Sequence, residues 1–276
     1  MLLNRELIIN GVKRRYFLFV PGIVKNNFLI IALHGAGGNA KISMFETNLI
    51  ENATKDGFYI AFPDALPEDI NREPDFKYNP QIWQAKDSNG FDSPDLVFIK
   101  EIINSTKKEY SIQNVFVTGF SNGAIMSSYL SIKIPDLIKA IAPVCGKLVK
   151  PPNNFYPFIP ILLIIGDSDP IFPINGGEVT LFWGNRIIVP SFEEYVEPYI
   201  ELIKPPREIT HETTKDYEKT EYINKETKLV IFKIYNHGHI WPGGKSKLTY
   251  EITGYPNKNF SANDFILSFF KEQIKS

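Results

Sequence analysis

The chain has 276 residues, with 30 Lys and Arg against 31 Asp and Glu for a formal net charge of -1. Its single cysteine excludes an intrachain disulfide and a Cys-rich zinc module, and the near-neutral charge argues against a nucleic-acid or anionic-membrane surface. The longest unbroken apolar run, Phe158–Ile165, contains Pro160 and is too short to span a bilayer, while 43% hydrophobic and 13% aromatic content argue for a folded chain with a large core.

Met1–Asn10 lacks the basic start, apolar centre and cleavage site of an export signal. The sequence as given is therefore expected to be cytoplasmic, or secreted or periplasmic if Met1 is not the natural start. Leu7–Ile9, Asn10-Gly11 and Val12–Val20 read as a β-hairpin, because Asn-Gly supplies the positive φ angles of a tight primed turn. Phe28–Leu33, Phe58–Phe62, Val115–Thr118, Ala140–Val144, Ile161–Ile165 and Leu229–Tyr235 read as strands. Several are apolar on consecutive positions, as strands covered on both faces should be.

Ser93-Pro94-Asp95 opens a helix, with Ser as N-cap and Pro at the first helical position, and Leu96, Ile99, Ile102 and Ile103 give it a buried stripe. Ala124–Lys133 and Asn263–Ile274 also read as helices. The alternation predicts an α/β fold: a mostly parallel central sheet, an N-terminal antiparallel hairpin at one edge, and helices on both faces. One domain is expected over 1–276, with irregular insertions at about 63–89 and 175–224. Pro63–Asn89 is polar and broken by Pro63, Pro67, Pro74 and Pro80. Asn175–Asn224 holds a helix around Phe192–Ile203, kinked near Pro198, and then a charged Lys/Glu/Thr-rich stretch. Loops this long inside a compact domain are usually functional.

The segment Asn114–Met126 carries the main chemical signal: a strand, then Gly119-Phe120-Ser121-Asn122-Gly123, then a helix. A serine there sits on a sharp strand-to-helix turn, its hydroxyl lifted beside the positive end of the helix. The alternative is a Gly-rich turn whose serine merely caps the helix; the flanking strand and helix favour a nucleophile. An alkyl hydroxyl needs a base, and the base an orienting acid. Only His34, His211, His237 and His239 exist. His211, in the charged stretch with no strand leading into it, reads as solvated, whereas His237 and His239 follow a strand. The acid is expected after Ile161–Ile165, where Asp167 and Asp169 both fit; Asp167, nearer the strand end, could instead brace the turn. Oxyanion donors are expected from the backbone N–H of Asn122 and from Leu33-His34-Gly35-Ala36-Gly37-Gly38, with His34 packed beneath that loop. A phosphate-binding use of the loop lacks the Lys-Ser/Thr of a P-loop.

Five blocks in order resemble the polyhydroxybutyrate depolymerase and feruloyl esterase family, α/β-hydrolases grouped with acetyl xylan esterases. They are Val20-Pro21, Leu33–Gly38, Gly119–Ala124, Gly166–Pro173 with Gly176-Gly177, and Gly238-His239-Ile240-Trp241-Pro242-Gly243. The resemblance runs from Arg14 to about Phe270. It implies the α/β-hydrolase fold and a carboxylic-ester hydrolase with Ser121 as nucleophile, Asp169, which directly precedes the loop proline, as acid, and His239, two residues before Trp-Pro, as base. The amides of Ala36 and Asn122 would hold the oxyanion. Trp83 resembles a family tryptophan near the site, as pocket wall or as a plug fixing the loop to the core; Trp241 would be wall or anchor of the His239 loop.

Members often carry paired cysteines, which this chain lacks. The expected substrates are small-molecule or polymer esters of short-acyl, hydroxycinnamoyl (feruloyl) or 3-hydroxybutyryl type, with no cofactor, no metal, and neither nucleic acid nor membrane as partner. His237 and His239 have no further His or Cys close in sequence to complete a metal site. An acyltransferase, a thioesterase or a catalytically silent polymer-binding homologue are the alternatives on the same framework.

Overall fold

The computed structural model describes residues 1–85 and 93–275; the last residues of the expected 63–89 insertion, 86–89, lie outside the described residues. The chain opens with a hairpin, β1 (Leu2–Ile9) and β2 (Val12–Phe19), turned on Asn10 at φ 50° and Gly11 at φ 79°. Both central residues thus take the positive φ that a primed turn demands. There follow β3 (Phe28–Leu33), α1 (Ala40–Thr47), α2 (Leu49–Asp56), β4 (Tyr59–Pro63), α3 (Pro94–Tyr110), β5 (Asn114–Phe120), α4 (Asn122–Lys133), β6 (Ala140–Val144) and β7 (Ile161–Gly166). The second half adds β8 (Gly177–Thr180), β9 (Arg186–Val189), α5 (Phe192–Leu202), β10 (Glu208–Thr213), β11 (Tyr217–Ile223), β12 (Lys228–Ile234), α6 (Tyr250–Thr253) and α7 (Ala262–Lys275).

Ten strands form one sheet in the order β1-β2-β4-β3-β5-β6-β7-β12-β11-β10. The six from β4 to β12 run parallel, and an antiparallel hairpin closes each side. Every residue of β3, β4, β6 and β7 is buried, because helices cover both faces. Strand periodicity sorts the side chains. Leu29, Ile31 and Leu33 join the core under α3, α4 and α5, while Phe28, Ile30 and Ala32 join the one under α1, α2 and α7. Among the described residues no helix is long and apolar enough to cross a membrane.

The stretch 208–223, expected as irregular, is instead the hairpin β10–β11, which extends the sheet beyond β12. No residue of either strand is fully buried, so the alternation of apolar and polar residues that betrays a half-buried strand is absent. Its stability comes from β-favouring Thr and Tyr and from polar contacts such as the Tyr217 hydroxyl donating to Glu212 at 2.7 Å and the cross-strand pair of Lys233 with Glu218 at 3.9 Å. His211 lies on β10, exposed, opposite Thr220. The expected helix near Phe192–Ile203 forms as α5 with Pro198 inside it, entered by a reciprocal capping box of Ser191 and Glu194.

Candidate active site

Ser121 stands between β5 and α4 with φ 56° and ψ -116°, an uncommon conformation for a residue with a Cβ. The surroundings enforce it: its N–H donates to the Val144 carbonyl at 2.9 Å, and the helix beginning at Asn122 packs directly on the chain after β3. A Cβ at Gly123 would overlap the carbonyl oxygens of Leu33 and His34, so only glycine allows this approach.

From the ends of β7 and β12 two loops bring Asp169 and His239 to the serine. His239 Nε2 lies 2.9 Å from Ser121 Oγ, and its Nδ1 lies 2.8 Å from Asp169 Oδ2. All three side chains are buried, Asp169 and His239 almost fully. The carboxylate can only accept, so Nδ1 carries the proton and Nε2 is left to accept from the serine hydroxyl. The other oxygen, Asp169 Oδ1, accepts the N–H groups of Ile171 and Phe172 at 2.7 and 2.9 Å. Turn bracing and the contact to histidine thus fall to one residue, while Asp167 accepts from the neighbouring Ser168 hydroxyl at 2.8 Å. Phe120 and Phe172 flank the imidazole, with ring centroids at 4.8 and 5.8 Å.

His237 turns the other way. Its Nε2 donates to the Ile240 carbonyl at 2.8 Å and its Nδ1 accepts the Asn257 N–H at 2.9 Å, and burial pushes its pKa down. Both nitrogens of each neighbouring histidine are therefore engaged within the protein. Among the described residues no group of three or more His, Cys, Asp or Glu is arranged to hold a metal ion.

The loop after β3 is braced from beneath. His34 Nε2 accepts the Ala65 N–H at 3.1 Å and its Nδ1 faces the Gly35 carbonyl at 2.7 Å. The Gly37 N–H donates to the Gln81 carbonyl at 2.8 Å. Trp83 is buried here behind the loop rather than in the pocket wall. Its Nε1 donates to the His34 carbonyl at 3.0 Å and its ring lies 4.9 Å from the His34 ring. Asn122 does more than its backbone: its Oδ1 accepts the Trp83 N–H at 2.7 Å and its Nδ2 donates to the Trp83 carbonyl at 3.2 Å. That side chain clamps the 63–85 segment against the turn bearing Ser121. The Asn122 amide belongs to the first turn of α4, where no intrahelical acceptor exists, and Ala36 lines the same pocket.

The pocket over Ser121 and His239 measures about 380 Å³. Its walls include Ile42, Phe76, Phe182, Ile240, Trp241 and Leu248, together with the carboxyl-bearing Glu46. Trp241 is both wall and anchor, since its Nε1 donates to Asn263 Oδ1 at 3.0 Å. Phe76 and the β8–β9 hairpin meet at the rim: the Phe76 ring lies 6.1 Å from Phe182 and 5.7 Å from Trp183, whose Nε1 donates to the Phe76 carbonyl. These rim aromatics and Glu46 escape sequence reasoning, because nothing in their spacing links them to Ser121. A larger, open hollow of about 610 Å³ lies at the opposite ends of the strands, beside Lys107, Pro135 and Lys228, with none of these groups in its lining.

Residues 16–181 match the phospholipase/carboxylesterase family. Over 288 aligned residues the chain is 24% identical to the candidate esterase NocK of Nocardia uniformis subsp. tsuyamanensis, covering 96% of this chain and 81% of that one. It is 23% identical over 164 residues to the bifunctional acetylxylan esterase/xylanase XynS20E of Neocallimastix patriciarum, which spans 58% of this chain and 22% of that protein. The acetyl xylan esterase from Aspergillus awamori superposes with a TM-score of 0.63 at 14% identity, covering 87% of this chain and 94% of that one. The fold is that of the α/β-hydrolases.

Proposed function

Since the chain belongs to the phospholipase/carboxylesterase family, we propose that it is a serine carboxylic-ester hydrolase with Ser121, His239 and Asp169 as its catalytic triad. The observation that carries the reading is the unbroken chain Ser121 Oγ–His239 Nε2, His239 Nδ1–Asp169 Oδ2 at 2.9 and 2.8 Å, opening into an apolar pocket. Ser121 Oγ attacks the ester carbonyl while its proton passes to His239 Nε2. Asp169 Oδ2 holds the Nδ1 proton and stabilises the imidazolium. The oxyanion meets the N–H groups of Ala36 and Asn122, and donors aimed at developing charge in this way usually lower the barrier more than any other single effect. The intermediate collapses by expelling the alcohol, which takes the proton from His239. Water, deprotonated by the same base, then releases the acid and restores Ser121.

The substrate range proposed is short-acyl, hydroxycinnamoyl and 3-hydroxybutyryl esters, of polymers or small molecules, as in feruloyl esterases and polyhydroxybutyrate depolymerases. Acetylxylan esterases among the relatives support acetyl esters, and the pocket volume supports a larger aryl acyl group. The test is a fluorophosphonate probe followed by peptide mass mapping, with acetyl, feruloyl and hydroxybutyryl esters assayed in parallel. The probe is expected on Ser121, with loss of hydrolysis in proportion to labelling. No labelling and no hydrolysis of any ester, with retained binding to polysaccharide, would favour a silent binding homologue instead.

A further inference from the structure

One carboxyl in the pocket has no part in this chemistry. Glu46 sits in the last turn of α1, four residues after Ile42, so the two share a helix face about one turn, or ~6 Å, apart. Both line the pocket above Ser121, and α1 itself begins just past the loop that carries Ala36. The face therefore runs from the oxyanion loop to an apolar side chain and then to a carboxyl. The Lys247 backbone N–H and ammonium both favour its charged form, and a carboxylate offers roughly four acceptor sites. The pocket beside it is lined by the apolar Phe120, Phe182, Ile240 and Leu248, and by Lys245, Ser246 and Lys247 from the loop after β12. A carboxyl kept in such a wall is costly to desolvate unless something donates to it.

We propose that Glu46 is a specificity-determining residue that accepts a hydrogen bond from a hydroxyl at the end of the ester's apolar arm. The preferred substrates are then esters whose arm passes Ile42 and ends in an alcohol or phenol. This rests on the hydrolase reading of Ser121. The charged and titratable groups facing Glu46 are His239 across the pocket and Lys247 and Lys245 on the loop after β12; both ammonium groups sit over the Phe45 ring, at 4.5 and 5.3 Å. Two nearby cations disfavour an ammonium-tipped substrate. Burial also pushes the Glu46 carboxyl up to about 7. Near neutrality it is present in both forms, and each can hydrogen-bond a hydroxyl, whereas only the ionised form attracts a cation.

The experiment compares kcat/KM for the para-hydroxyphenylpropionate and para-methylphenylpropionate ethyl esters, which share shape and differ in the donor. The wild type is expected to favour the hydroxyl ester about tenfold, Glu46→Leu to erase that preference by losing only the hydroxyl ester, and Glu46→Gln to retain part of it. A merely structural Glu46, bracing the Lys247 loop, would lower both esters equally in both variants. That result, or an unchanged ratio, would overturn the inference while leaving ester hydrolysis standing. A wild type that hydrolyses neither ester and resists fluorophosphonate would overturn the hydrolase reading and this inference together.

Discussion

His34 and His237 each accept a backbone N–H on one ring nitrogen and face a carbonyl with the other, an arrangement that only the neutral ring satisfies. Burial pushes both below the ordinary 6.5. Below that value the unfolded chain takes up protons that the folded one refuses, so their contribution is full above it and is lost on acidification. Glu46 has the opposite sign. Its folded pKa is raised from 4.5 to about 7, so between those values the folded state holds a proton that the unfolded state lacks, and acidification there favours folding. Glu46→Gln removes only this opposing effect. Between pH ~7 and ~5 the urea midpoint of the variant should fall more steeply than that of the wild type; a shallower fall would contradict the assignment. Ser121 stands out because a glycine-flanked turn between strand and helix is a local pattern, and four histidines leave few bases to weigh. Spacing leaves Asp167 and Asp169 both open, with Asp167 placed nearer the strand end; in the structure Asp169 turns inward, one oxygen on two loop amides and the other on His239. The clamp of Asn122 on Trp83 is invisible in the sequence, since it joins a side chain to a backbone 39 positions away.

Elements buried on both faces announce themselves as apolar runs, which is why β3 to β7 and β12 are legible. The hairpin β10–β11 is not, because its side chains are all at least partly exposed and no period survives. Helix α3 is legible from its start: Ser93 caps the Asp95 N–H and Pro94 opens the first turn. Its link to the sheet is not. Arg14 on β2, almost fully buried, pairs with Asp95 at 2.6 Å and stacks over Phe98 at 4.2 Å. The second oxygen of Asp95 accepts the Gln84 N–H at 2.8 Å, one residue from Trp83. One carboxylate thus bolts strand, helix and loop together. Asp95→Ala leaves a guanidinium buried without its partner and should cost about 3–5 kcal/mol in urea denaturation. A loss below about 1 kcal/mol, the range of exposed pairs, would show that the pair is not the bolt described.

Across the whole molecule, the parallel sheet gathers distant segments at one end. The loops after β3, β5, β7 and β12 deliver Ala36, Ser121, Asp169 and His239 to one place, as open α/β sheets do at the carboxyl ends of their strands. The two insertions recognisable in the sequence as irregular converge above them, through Phe76 from one and Phe182 and Trp183 from the other. Their meeting depends on tertiary packing that no local pattern encodes, so the framework is far more readable than the pocket walls. We propose that this arrangement makes Ser121 the nucleophile of an ester hydrolase. The deciding experiment is kcat/KM for p-nitrophenyl acetate hydrolysis by wild type and Ser121→Ala, each shown to be folded by circular dichroism. A loss of about 10⁴-fold or more is expected in the folded variant; a folded Ser121→Ala protein within about tenfold of the wild type, well short of that loss, would rule Ser121 out as the nucleophile.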